Sequence, residues 1–170
     1  GDFCCHSFNM PVRALNLKYP SKVQISNVEK AGLETYAKTV THKFHFSAEG
    51  KRAAVNLIYY TGGADMPPKH ITDQLIGTFG NIPRVGAIVE AENGLLSSGL
   101  WNSQCYLKLK DDKKFIGHGN HGEAKKISQT LPRANGHFRE WTDAIIDNGK
   151  TFASFDLGGH LTEIGLSGII

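Results

Sequence analysis

Two side chains at the start of the sequence have types and spacing suited to proton chemistry: Asp2 and His6. On a helix, positions i and i+4 lie on one face, a turn apart. A carboxylate beside an imidazole fixes the tautomer of the ring, and an imidazole held in that way is what proton exchange with an alcohol requires. Taken alone, so short a motif reads more often as a local cap and ion pair.

Three other groups of residues invite a chemical reading. Gly117-His118-Gly119-Asn120-His121-Gly122 matches the spacing of a dinucleotide fingerprint, but the fingerprint must follow a buried parallel strand and open a long helix. Here the charged run Asp111–Phe115 precedes it, and the next stretch stops at Pro132, so a glycine loop is the better reading. The eight histidines include His118 and His121 on that loop, and His42 and His45 on a strand-like segment. A residue separation of three on a strand puts two side chains on opposite faces, and no spacing repeats as metal ligands do, so no metal site is expected. In His137-Phe138-Arg139-Glu140-Trp141, the two aromatic residues read as core, while His137 and Arg139 read either as surface residues or as a polar contribution to a pocket. Of Tyr59 and Tyr60, one should face the core, leaving the other free to line a cleft.

The elements that must position these residues follow from periodicity. Residues 2–9 form a short helix that Pro11 breaks, or that gives way to a second helix starting there. Residues 22–28 and 39–47 alternate as strands, and 52–60 completes a hairpin. Residues 61–70 are loop, and 71–77 a helical turn. Residues 86–99 form a hairpin turning at Asn93-Gly94, followed by a strand at 105–110. Asn135 is placed to cap a helix with Phe138, Trp141, Ala144 and Ile145 as its apolar stripe, ending at Gly149. A last helix starts near Asp156 and turns Leu157, Leu161 and Ile164 inward, with Gly165 and Gly168 allowing close packing. The expected fold is one α+β domain with a large, mainly antiparallel (mixed) sheet and helices on one face.

Bulk composition narrows the function classes. The 170 residues carry a net charge of +3 with Lys and Arg scattered, so no basic stripe points to nucleic acid. No apolar run reaches membrane-spanning length. Cys4, Cys5 and Cys105 make an odd, partly adjacent set, which reads as small apolar side chains rather than a disulfide framework. Apolar helices at both ends make the chain read as cut from a longer protein.

In order, several segments resemble the C-terminal domain of the glucose–fructose oxidoreductase / inositol dehydrogenase / MocA family. They are Gly1-Asp2-x-x-x-His6; Ala14-Leu15 through Tyr19-Pro20 to Val23; Glu34-Thr35-Tyr36; Tyr59-Tyr60-Thr61-Gly62-Gly63; Gly136 to Trp141; and Phe155-Asp156 with Leu161-Thr162-Glu163. The resemblance runs nearly end to end. It implies that residues 1–170 are the substrate-binding and oligomerisation domain of an NAD(P)-dependent oxidoreductase acting on a hydroxyl of a sugar or cyclitol. NAD or NADP would be held by an N-terminal Rossmann domain that this sequence lacks, together with that domain's catalytic Lys, so the chain alone would be inactive. It also implies that His6 is the acid/base, that Asp2 orients it, and that Asn9, Tyr60, His137 and Arg139 contact substrate. Asn9 and Thr61 stand where the family commonly has Asp. Self-association through the sheet is implied, and the compartment is cytoplasmic or exported as among family members. Two other functions fit the same residues: an NAD-dependent glycosidase, separated by the absence of net NADH production, and a non-catalytic binding or assembly domain.

Overall fold

Alternation along Thr39–Phe46 sets the first layer. His42, Phe44 and Phe46 are buried on one face, while Lys43 and His45 turn to the other. A computed structural model, which describes residues 3–32, 34–62, 65–99 and 101–169, makes this segment β2. It is the middle strand of a three-stranded antiparallel sheet, between β1 (Lys22–Glu29) and β3 (Val55–Tyr60). The register aligns Val23 with Phe44 and Leu57, and Ile25 with His42 and Tyr59.

Two helices cover the inward face. Helix α1 (Cys4–Ala14) contributes Cys4, Phe8 and Val12, and a second helix, Phe155–Leu166 at the other end of the chain, lies beside it and adds Leu161 and Ile164. Leu157, Leu161 and Ile164 turn inward as their spacing predicts, and the Ser154 hydroxyl caps this last helix by accepting from the Leu157 N–H. Pro11 does not break α1. It removes one N–H from the ladder, but Cys4, Phe8, Val12 and Leu15 keep a single apolar stripe that packs on both sides of it. Full burial of Phe8, Phe44, Phe46 and Ile164 contributes about 1.5–3 kcal/mol each before entropy is counted.

The second layer is smaller. Helix α2 (Lys69–Phe79) is longer than the single turn expected there, and it packs Ile71 and Leu75 against Leu95 and Phe115. Leu95 belongs to a four-stranded antiparallel sheet of β4 (Ala87–Ala91), β5 (Gly94–Ser98), β6 (Cys105–Leu109) and β7 (Ile116–Gly117), and Phe115 directly precedes β7. The β4–β5 hairpin is where the sequence puts it, with its turn one residue earlier, at Glu92-Asn93, because Gly94 already pairs with Ala91.

The α+β class therefore holds, but the described strands form two small sheets instead of one large one. The loop holding Gly62, Pro67 and Pro68, and then α2, separate β3 from β4, and no ladder joins them. Helix α1 lies against both layers, with its core stripe on the first sheet and a further contact with β4.

After β7 come a four-residue helix, α3 (Gly122–Lys125), and α4 (His137–Ile146). The last helix of the chain is α5. In α4 the structure overturns an expectation. Phe138, Trp141 and Ile145 are 80%, 61% and 64% exposed, so they are not core, and no α4 residue is buried. The half-buried edge is the opposite one, where Glu140 accepts a hydrogen bond from the Phe152 N–H and Ala144 lies against Gly149. Asn135 does not cap it; Gly136 holds that position with no side-chain hydrogen bond. Among the described residues no helix is long and apolar enough to cross a membrane.

His42 gives this core a pH dependence. It is 6% exposed, stacked 6.0 Å from Phe44, and its Nδ1 has no hydrogen-bond partner. Burial holds its pKa below the ordinary 6.5, and the Gly168 backbone offsets only part of that. The unfolded chain therefore takes up this proton first as pH falls. The His42 contribution to stability is complete above the unfolded value and is lost progressively from about pH 6.5 down to the folded value. Urea unfolding between neutral and mildly acid pH should show a steeper loss for the native sequence than for His42→Leu. Equal slopes would remove His42 from the acid limb.

Candidate functional site

The outward side of α1 carries the first candidate. His6, Asn9 and Met10 lie around the helix from the core stripe and are half-buried. Against His6 stands the segment between β5 and β6, through Trp101 and Asn102. The His6 ring meets Trp101 edge-on at 4.7 Å and Phe3 at 5.8 Å. The His6 carbonyl accepts from Asn102 Nδ2 at 2.8 Å, and Asn102 Oδ1 in turn accepts from the Ser98 hydroxyl at 2.8 Å. Asn102 adopts φ 53°, a left-handed conformation that Asn tolerates, and Gly99 N–H to Gln104 O closes the turn at 3.0 Å. Nothing in the spacing of the sequence links Trp101 or Asn102 to His6, so neither was visible as a site residue.

Asn9 sits one turn beyond His6. Its Oδ1 is buried and has no hydrogen-bond partner. A buried carbonyl oxygen left without a donor costs about 1–3 kcal/mol. A hydroxyl or amine would recover that energy once the side chain turned outward to meet it. Asp2 lies outside the described residues.

The other expected site residues do not join this face. Tyr59 is the one that faces the core, 5.2 Å from Phe8. Tyr60 therefore turns to the far side of the sheet, opposite Thr41. There Asp65 accepts from the Thr41 hydroxyl and from Asn27 Nδ2, which holds its carboxyl below the usual range. Burial, and then the Asp65 charge, push the Tyr60 phenol up. His137 and Arg139 lie on α4, where Arg139 Nε pairs with Asp143 at 2.8 Å and the His137 ring meets Phe138. Among the described residues neither bonds to nor stacks on α1.

The segments at the two ends of the chain do meet. Tyr19 donates to Glu163 at 3.0 Å, which raises its own pKa, and its ring meets His160 edge-on at 5.1 Å. His160 Nε2 donates to the Leu17 carbonyl at 2.9 Å. These bonds tie the stretch after α1 to α5.

The glycine run at 117–122 is a turn and a cap. His121, 4% exposed, accepts from Glu123 N–H and Ala124 N–H at Nδ1, and donates from Nε2 to Asp112 at 2.9 Å. Asp112 also accepts from Leu109 N–H, and the His121 bond first of all holds its carboxyl below the usual range. A two-residue strand before the run, a four-residue helix after it and a ring seated on that helix's N-terminus do not fit a dinucleotide pyrophosphate.

Among the described residues no group of three or more His, Cys, Asp or Glu could hold a metal ion. Cys4, Cys5 and Cys105 form no disulfide. Burial pushes the Cys4 and Cys105 thiols up, away from nucleophilic character. Set against protein-family models, curated proteins and solved structures, the chain matches none of them.

Proposed function

We propose that this chain is the substrate-binding and assembly domain of an NAD(P)-dependent oxidoreductase acting on a hydroxyl of a sugar or cyclitol, as its resemblance to the glucose–fructose oxidoreductase / inositol dehydrogenase / MocA family implies. The observation that carries the reading is the outward face of α1. An imidazole packed edge-on against an exposed indole stands one turn from an unpartnered amide oxygen. A polyol presents hydroxyl donors to the Asn9 oxygen and C–H faces to an aromatic ring, while a half-buried imidazole is suited to exchanging a hydroxyl proton. The Tyr19–Glu163–His160 contacts also support it, because they bring together two distant segments that each resemble the family.

In this reading His6 is the acid/base, Asp2 sets its tautomer and Asn9 orients the substrate. Tyr60, His137 and Arg139 are proposed to reach substrate only if α4 and the 61–68 loop approach α1 in the whole enzyme. The glycine turn at 117–122 does not fit the dinucleotide, and the reading assigns it to a separate domain. The family places self-association on the sheet.

Ligand-observed NMR with a panel of sugars and cyclitols tests the site directly. The expected result is saturation transfer to at least one polyol, weakened about tenfold in Asn9→Ala, the size of one lost hydrogen bond to a buried oxygen. No transfer to any polyol, or transfer unaffected by both Asn9→Ala and Trp101→Ala, overturns the site.

A further inference from the structure

Asn-Gly occurs three times in the chain, at Asn93-Gly94, Asn135-Gly136 and Asn148-Gly149. Such a pair carries its own chemistry. The backbone nitrogen after the asparagine can attack the side-chain amide carbon, and glycine leaves that nitrogen unshielded by a Cβ. The fold treats the three pairs differently. At Asn93-Gly94 both residues are pinned. Gly94 forms a strand rung with Ala91, the Asn93 carbonyl accepts from the Lys110 N–H at 3.2 Å, and a Cβ on Gly94 would stand 2.3 Å from the Lys108 carbonyl oxygen. At Asn148-Gly149 the attacking nitrogen is engaged, since the Gly149 N–H donates to the Ala144 carbonyl at 2.9 Å.

Asn135-Gly136 has none of these restraints. Both residues are exposed, as is the whole stretch 128–136. Among the described residues neither the Asn135 side chain nor the Gly136 N–H has a hydrogen-bond partner, and a Cβ on Gly136 would meet open space. The first bond of α4, from the Glu140 N–H to the Gly136 carbonyl at 2.9 Å, lies beyond the reacting nitrogen and leaves it unengaged. We infer that Asn135-Gly136 is a site of spontaneous modification, and that the fold protects the other two pairs. The Gly136 nitrogen loses its proton and bonds to Asn135 Cγ, the side-chain amide C–N bond breaks, and ammonia leaves with that proton. Water then opens the five-membered imide. Cleavage at Cγ restores the ordinary backbone with an aspartyl side chain. Cleavage at the backbone carbonyl gives an isoaspartyl residue, with the chain running through Cβ. No oxidant or reductant enters either route. In both, a carboxylate replaces a neutral amide just before the first turn of α4, where the helix dipole favours negative charge. The inference does not rest on the oxidoreductase reading.

Incubation of the folded chain at mildly alkaline pH, followed by peptide mapping with mass spectrometry, reads all three pairs at once. Acid and isoaspartyl products should accumulate at position 135 at least about tenfold faster than at 93 or 148, because the protected pairs must first open locally. In concentrated urea that opening is no longer needed, and the three rates should converge to within about threefold. Gly136→Ala should slow the reaction at 135 about tenfold or more by crowding the nitrogen, and circular dichroism should show the fold retained. Equal rates at the three pairs in the folded chain, or a faster reaction at 93 or 148, would overturn the assignment. A gap that persists in urea would also do so, since neighbouring residues rather than the fold would then set it. Indifference to Gly136→Ala would rule out the cyclic route.

Discussion

Replacing Phe44 by alanine should lower the stability of this chain by about 3–5 kcal/mol, read as a reduced urea midpoint at unchanged slope. Phe44 is 0% exposed at the centre of β2. Its ring meets Phe8 edge-on at 5.7 Å and stacks on His42, and its Cζ lies near the backbone of Gly168 at the end of the chain. The cavity would open where α1, β2 and the segment after α5 converge, and none of these can close it without losing its own contacts. A loss of that size is a large part of the 5–15 kcal/mol that holds a typical domain together. Ile58→Ala, one residue pair along on the outer face of β3, should cost less than about 1 kcal/mol, since Ile58 is 40% exposed and leaves no sealed cavity. Similar losses for the two variants would place the core elsewhere.

The second large effect is steric. A Cβ on Gly165 would stand 2.6 Å from Cys4 Sγ and 3.6 Å from Cys4 Cβ. Gly165→Ala should therefore cost about 1–3 kcal/mol despite the better helix propensity of alanine, because it drives α5 away from α1. Cys4→Ala removes the clashing sulfur and leaves the 3.6 Å approach, an ordinary contact. The double variant should recover most of the loss, and the coupling of at least about 1 kcal/mol in a double-mutant cycle is the signature. Additive losses would mean that the two helices do not touch there.

The sequence revealed elements better than the relations between them. The hairpin at 87–98 announces itself through alternation and an Asn-Gly pair, and its turn shifts by one residue only because Gly94 prefers a strand rung to a turn position. The stripe on α4 was equally legible. Its exposure was not, since periodicity reports that a face is apolar and says nothing about which surface meets it. For the same reason two small sheets could be read as one large sheet, because strand alternation fixes which residues share a face but not which edges pair. At the candidate site, His6 was legible from its type. The turn that holds its carbonyl was not, because the Asn102 contact spans 96 residues. His121 was read as part of a loose loop, when its ring is used at both nitrogens.

Helix α1 takes its position from one sheet and presents its imidazole to the other. The interior that fixes the helix axis is Phe8, Val12 and their neighbours, whereas Trp101 against the His6 ring and Asn102 on the His6 carbonyl come from the opposite layer. A displacement of Trp101 and Asn102 would thus re-aim a titratable group while leaving the hydrophobic interior untouched, which makes that short segment an adjusting screw for whatever chemistry the ring performs.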